Sequence, residues 1–229
     1  RATLEALAPL IKAKPQPGWL KRIAEVVGEK NRGLDEERGR TQTPIVPPFV
    51  MNGIARRLAG HDVVISDASF SAGWIAQHIP ATESGRRFIY ARGQGGLGYA
   101  SPAAIGAAAV QKTLGQGGRV VTVAGDGGHS FAVGELATLT QNNMRVVNVV
   151  INNGTLGWLQ MWQEVFFKDL RKSVDLNATP TSPPDFAAAA NAMGLLGLRV
   201  EKPEDLDAAL DAAFGHDGPS LVEVLIDPR

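Results

Sequence analysis

Two short stretches of this 229-residue chain carry side chains that together could hold a cation: Gly125-Asp126-Gly127-Gly128 and Asn152-Asn153-Gly154. A carboxylate and an amide oxygen side by side suit Mg2+, which takes near-octahedral oxygen ligands, few of them from protein and the rest from phosphate and water. Glycines around a carboxylate leave backbone amides open to something bulky and anionic, and the helix that follows adds its N-terminus. Each stretch alone is an ordinary turn, rich in turn formers. Asp126 and Asn153 are 27 positions apart, however, room for one helix and one strand. A βαβ unit would therefore bring them to the ends of neighbouring strands.

A third glycine group, Gly93-x-Gly95-x-x-Gly98 in "YARGQGGLGYASPAAIGAAA", has the dinucleotide-binding spacing. That reading needs an acid at the end of the next strand, about 20 residues on, for a ribose hydroxyl. The next strand, "RVVTVAGDG", does end in an acid, but Asp126 lies between glycines, which a ribose contact does not require. The metal-diphosphate reading explains more.

The elements that must position these groups alternate from Ile45 onward. Apolar, β-branched runs occur at "DVVIS", "RFIYA", "RVVTVA", "MRVVNVVI", "LGLRV" and "SLVEVLI". Helical stretches occur at "PPFVMNGIARRLA", "SPAAIGAAAVQKTL", "FAVGELATLTQNN", "LGWLQMWQEVFFK", "DFAAAANAMG" and "PEDLDAALDAAF". Helix starts are marked at Ser101-Pro102, Pro184-Asp185 and Pro203-Glu204-Asp205. The pattern predicts an α/β fold: a parallel six-stranded sheet with helices on both faces, preceded by a helical linker. Ligands of such sheets sit at the carboxyl ends of strands, so the loops to inspect begin at Asp67, Ala91, Gly125 and Asn152. Residues 1–44 read as a helical appendage, interrupted at Pro15 and Pro17, and a polar linker; residues 45–229 read as the domain.

The totals exclude several classes. Lys plus Arg and Asp plus Glu both number 23, so no basic surplus points to nucleic acid, and pairs such as Arg56-Arg57 and Arg86-Arg87 read as solvated faces. No apolar run approaches the roughly 18 residues of a membrane span. The absence of cysteine excludes disulfides and thiolate chemistry and fits a cytoplasmic setting. The chain opens on Arg1 rather than Met, which leads us to expect a missing true start.

GDG, about two dozen residues, then NN resembles the motif of thiamine-diphosphate-dependent enzymes. "GGLGYASPAAIGAA" is similar to the benzoylformate decarboxylase group, whereas "NNGTLGWLQMWQEVFF" and "VEKPEDLDAAL…GPSLVEVLIDP" are similar to the acetolactate synthase group. The resemblance covers residues 45–229, and residues 1–44 look like the tail of that superfamily's middle domain and its linker. It implies thiamine diphosphate and Mg2+ as cofactors, with Asp126 and Asn153 giving side-chain oxygens to the metal and Thr155 its carbonyl. Gly127, Gly128 and the amides around Gly154 to Leu156, beside Gly125, would face the diphosphate. Ser69 and Phe70 lie where relatives touch it. The Gly95 carbonyl and Leu97 amide, with Gly96 between them, would bond the aminopyrimidine. The Leu97 side chain would hold the cofactor bent, so that its own amino group reaches the thiazolium proton.

The implied substrate is a small 2-oxo acid, met by Trp158, Leu159 and Trp162 of the helix after Asn153. That aromatic helix equally reads as packing core, above all at Trp162 and Phe166. An apolar residue at Leu159, where simple pyruvate decarboxylases carry glutamate, favours carboligation. His129, next to the GDGG run, is a candidate proton carrier or a packing residue, while His61, His78 and His216 read as surface and Glu135 and Glu164 as structural. The activating acid of this family comes from a separate pyrimidine-binding domain, which residues 1–44 are too few to form. A partner chain or a further part of the polypeptide is therefore expected, in a homo- or hetero-oligomer. The alternative is a degenerate paralogue that binds the cofactor without turnover, suggested by departures at Gly128 and "DASFSAGW".

Overall fold

The computed structural model describes residues 1–12, 16–81, 87–115, 117–168, 170–177 and 183–227; Pro15 and Arg86 lie outside them. The chain forms two compact units, Arg1–Glu37 and Arg38–Arg229. The first holds α1 (Ala2–Leu7), a 3-10 turn (Ala8–Leu10) and most of α2 (Pro17–Arg38). α2 continues through most of the polar stretch read as linker. Glu, Lys and Arg are good helix formers, and polarity alone does not end a helix. Leu4, Leu7, Leu10, Trp19 and Leu20 are exposed, so this unit has little core of its own.

The second unit runs α3 (Pro47–Ala55), β1 (Val63–Ser66), α4 (Phe70–His78), β2 (Arg87–Tyr90), α5 (Ala100–Leu114), β3 (Val120–Gly125), α6 (Asp126–Ser130), α7 (Glu135–Gln141), β4 (Val146–Asn152), α8 (Gly157–Phe167), α9 (Phe186–Ala192), β5 (Leu196–Val200), α10 (Pro203–Gly215) and β6 (Ser220–Leu225). The strands form a six-stranded sheet in the order β2-β1-β3-β4-β6-β5, every pairing parallel. All six β-branched runs thus become strands. β4 is buried along its whole length, as a strand covered on both faces must be.

Because side chains alternate across a strand, the sheet serves two cores. Val64, Val121, Val149 and Val222 face Met51, Ile54, Ile75, Leu206 and Leu210 of α3, α4 and α10. Val63, Ile65, Val120, Val146 and Leu221 face Ala104, Leu136, Leu139, Phe186 and Ala190 of α5, α7 and α9. The two polar residues facing each other mid-sheet satisfy one another: Thr122 Oγ1 donates to Asn148 Oδ1 at 2.9 Å, and Asn148 Nδ2 donates to the Ser220 carbonyl at 3.1 Å.

Three sequence readings need correction. α4 was not anticipated, since "FSAGWIAQH" is rich in residues indifferent to helix. α7 starts at Glu135 rather than Phe131, because Phe131 to Gly134 form turns that join it to α6. His78 is buried instead of lying on the surface. No helix of the described residues is long and apolar enough to cross a membrane.

Candidate functional site: a cleft at the carboxyl ends of the strands

β1 sits between β2 and β3, so the chain leaves β1 toward one face and β3 toward the other. α4 packs into one core and α7 into the other. The loops after β1 and β3 therefore diverge and open a crevice, the place where such sheets bind ligands. A cleft of about 430 Å³ lies there. It is lined by Ser69 and Phe70 after β1, Gly95 and Leu97 of the glycine loop, and Gly125, Asp126 and Gly128 after β3. Asn153, Thr155, Leu156, Trp158 and Leu159 after β4 complete it.

Gly125 pairs with Ile151 in the β3–β4 register, so Asp126 lies one residue and Asn153 two residues beyond a paired position on adjacent strands. Asp126 is the first residue of α6 and only 3% exposed. Its Oδ1 accepts the Gly127 amide at 2.7 Å, whereas Oδ2 is buried without a hydrogen-bond partner. Burial raises the Asp126 carboxyl to about 6, opposed by the amides of Gly127, Gly154, Thr155 and Asn153. A buried oxygen with nothing bound to it is a costly arrangement for a fold to keep unless a ligand uses it. Among the described residues no group of three or more His, Cys, Asp and Glu side chains is placed to hold a metal. The cleft instead offers Asp126, the Asn153 amide oxygen and the Thr155 carbonyl. These are hard oxygen donors whose number suits an ion that completes its shell with phosphate and water.

The Asn153 turn is tightly tied. Asn152 Oδ1 accepts the Gly154 amide at 3.0 Å, and Asn153 Oδ1 accepts the Thr155 amide at 3.3 Å. The Leu156 amide donates to the Val174 carbonyl at 2.7 Å, and Leu176 donates back to Gly154. All three amides expected to face a diphosphate already have acceptors in the chain and would have to exchange them to bind one. Their segment is paired with residues 174–176, a contact no local pattern announces. The Thr155 carbonyl accepts the Gly157 amide and keeps a second lone pair, while its hydroxyl donates to Gln160.

A residue without an assigned role in the sequence reading ties the loop after β1 to the glycine loop that leads into α5. Asp67, buried at the end of β1, accepts the amides of Ala68 (2.9 Å), Gly98 (3.1 Å) and Ala100 (2.9 Å). It thereby caps α5, which starts at Ala100 rather than at the Ser101 signal. A Cβ on Gly128 would lie 2.7 Å from Asp67 Oδ1, so glycine there is a packing requirement. The usable signal was an acid directly following a strand at the binding end of the sheet. Ser69, two residues further on, holds φ 80, an uncommon value for a residue with a Cβ.

The far wall is aromatic. Phe70 stacks on Trp74 at 5.7 Å and meets Trp158 edge-on at 5.0 Å. The row continues through Trp162 to Phe166, both outside the cleft and partly exposed, so this helix is not the packing core that its apolar residues allow. Gly96 and Gly127 do not line the cleft, and Gly127 is covered by the Leu156 side chain. His129 does not line it either; it is buried edge-on against Phe186 at 5.2 Å, and burial lowers its imidazole to about 4. An imidazole held neutral away from the cleft fits the packing reading of His129 better than proton transfer.

Residues 67–224 match the family described as thiamine pyrophosphate enzyme, C-terminal TPP binding domain. The chain is 31% identical over 228 residues to the acetolactate synthase isozyme 2 large subunit of Escherichia coli, covering 98% of this chain and 39% of that protein. It is 32% identical to the mitochondrial acetolactate synthase catalytic subunit of Saccharomyces cerevisiae over 86% of this chain and 27% of that one. A solved structure of benzoylformate decarboxylase from Polynucleobacter necessarius superposes with a TM-score of 0.73 at 25% identity, over 82% of this chain and 34% of the other. The chain thus spans well under half the length of these relatives. The crevice between β1 and β3, the carboxylate and amide at adjacent strand ends and the sequence match all lead to one assignment: this chain belongs to the thiamine pyrophosphate enzymes and carries their C-terminal TPP-binding domain.

Proposed function

We propose that the chain is the diphosphate- and Mg2+-binding catalytic module of a 2-oxo acid decarboxylase or carboligase of the acetolactate synthase kind. Residues 45–229 are the binding domain in this reading and residues 1–44 the tail of a middle domain with its linker. The observation that carries it is the partnerless Asp126 Oδ2 in the cleft, one strand away from Asn153. Asp126, Asn153 and the Thr155 carbonyl would hold Mg2+. Gly125, Gly128, Ser69 and Phe70 would border the diphosphate, and Gly95 and Leu97 the aminopyrimidine. When bound, thiamine diphosphate supplies an electron sink for the carbanion left by CO2 release; the protein supplies position and field.

Trp158 and Leu159 line the cleft without offering a proton donor, which favours addition of a second carbonyl compound over simple protonation. The activating acid would come from a pyrimidine-binding domain elsewhere in the polypeptide or in a partner chain. The relatives' greater length supports this arrangement.

The test is calorimetric titration of thiamine diphosphate, with and without Mg2+, into the assembled full-length enzyme, followed by a 2-oxo acid turnover assay. Mg2+-linked binding with turnover is expected. Binding without turnover identifies the second reading, a cofactor-binding paralogue with an assembly or regulatory role. No Mg2+-linked binding overturns the cofactor reading.

A further inference from the structure

We infer that Glu223, in the middle of β6, is a positioning residue for the cation site and acts through Asn152 on the turn that presents Asn153 and Thr155. The inference rests on the Mg2+ reading above.

Glu223 has no exposed surface, yet its carboxylate is fully engaged. It accepts Asn152 Nδ2 at 2.6 Å, the Ala187 amide at 3.1 Å and Arg199 Nη1 at 3.3 and 3.4 Å. Asn152 Nδ2 also donates to the Pro184 carbonyl at 3.0 Å, and Asn152 Oδ1 accepts the Gly154 amide at 3.0 Å. A chain of polar contacts therefore runs from Arg199 through Glu223 and Asn152 to Gly154. It ends beside the residue whose side chain would bind the metal.

The chemistry of Asn152 explains the need for a two-oxygen acceptor at 223. An asparagine can present oxygen or nitrogen to either side, since the two ends have nearly the same shape. The Glu223 Oε1 and the Pro184 carbonyl both accept from Nδ2, so together they turn it toward them and leave Oδ1 for Gly154. Gly154 holds φ +67, and a Cβ there would fall 2.6 Å from Asn177 Oδ1, so the turn has little freedom to adjust. Glutamine at 223 offers one acceptor oxygen where the carboxylate gives Oε1 to Asn152 and Oε2 to the Ala187 amide. With Nδ2 left to the Pro184 carbonyl alone, the hold on the Gly154 bond weakens, and with it the hold on the Asn153 oxygen. Burying a charge in a sheet is costly and rarely adds stability over an apolar residue. Residues behind metal ligands typically contribute 10- to 100-fold in metal affinity.

The experiment measures the Mg2+ concentration that half-saturates thiamine diphosphate binding, followed by quenching of tryptophan fluorescence, in the full-length protein with any partner it carries. Trp74 and Trp158 line the cleft and report occupancy. Glu223→Gln is expected to raise that concentration about 10-fold, with binding restored at saturating Mg2+. Asn152→Ala should do the same, and the double variant should be no worse than either alone, since both break one chain. Thr122→Val, which removes a buried hydrogen bond mid-sheet, should lower the melting temperature and leave the Mg2+ requirement unchanged. Folded Glu223→Gln and Asn152→Ala proteins with a requirement within about twofold of wild type would overturn the inference. If Glu223→Gln does not fold, Asn152→Ala decides by the same criterion. A wild type that binds without any Mg2+ requirement overturns the cation reading itself.

Discussion

Asp126, just past the end of β3, and Glu223, within β6, are both buried acids, and they are kept for different reasons. Glu223, at 0% exposure, has donors on every side. Asp126, at 3%, has one oxygen bound and the other bare. The satisfied acid fixes the architecture around the site, the turn after β4 included, whereas the unsatisfied one at a strand end is held in readiness for something that arrives later. The same residue class thus carries two meanings, and hydrogen-bond accounting separates them.

The sharpest way to break this contrast is truncation. Glu223→Ala should cost about 3 kcal/mol of stability in chemical denaturation, because Asn152, Ala187 and Arg199 lose their common acceptor. A cost near zero would place Glu223 with Asp126. Asp126→Asn should act in the opposite direction, weakening Mg2+-linked binding at least about 100-fold (about 2.7 kcal/mol) while raising the melting temperature, since an isosteric amide removes a buried charge. A drop in melting temperature would mean that Asp126 is structural. Gly128→Ala should cost about 2 kcal/mol through collision with Asp67, read by thermal unfolding.

Titration sharpens the comparison further. The folded Asp126 carboxyl stands at about 6, above its usual 3.8, so the folded chain binds the extra proton between those values. This acid therefore disfavours folding as pH rises through that window. The proposed cation would need the ionised form, so on that reading Mg2+ affinity should rise about tenfold per unit (about 1.4 kcal/mol) up to about pH 6 and then level off, measured by calorimetry. His129 has the opposite sign. Its imidazole lies at about 4 against 6.5, so the stability it contributes is complete above 6.5 and is lost as pH falls toward 4. The smallest effect is at Ser69, where glycine should relieve the φ 80 backbone and offset part of its own entropy cost, changing stability by no more than about 1 kcal/mol.

Much of this was legible beforehand. The central strands β1, β3, β4 and β6 announced themselves through β-branched runs, because a strand buried on both faces tolerates little else. The partly exposed edge strands β2 and β5 showed only as short apolar runs. The spacing from Asp126 to Asn153 put both at adjacent strand ends, since one helix and one strand leave few alternatives. Illegible were the contacts made by distant partners. Asp67 caps a helix 33 positions away, which outcompeted the local signal at Ser101. The Val174 carbonyl takes the Leu156 amide, one of those the motif seemed to leave open, while the side chains of Asn152 and Asn153 take the Gly154 and Thr155 amides. His129 follows a glycine run, yet its helix turns it into the core, and only the packing of Phe186 against it shows which of its two readings fits.

The approach of Gly128 to Asp67 has an evolutionary corollary. The two sides of the cofactor cradle are cut to one another at this point, so neither position can drift alone. A lineage that acquires a side chain at 128 must first shorten or redirect the acid at 67, and with it refasten the loop that begins α5. Paired replacement at these two sites, rather than scattered change, is the pattern such interlocked surfaces leave in descendants.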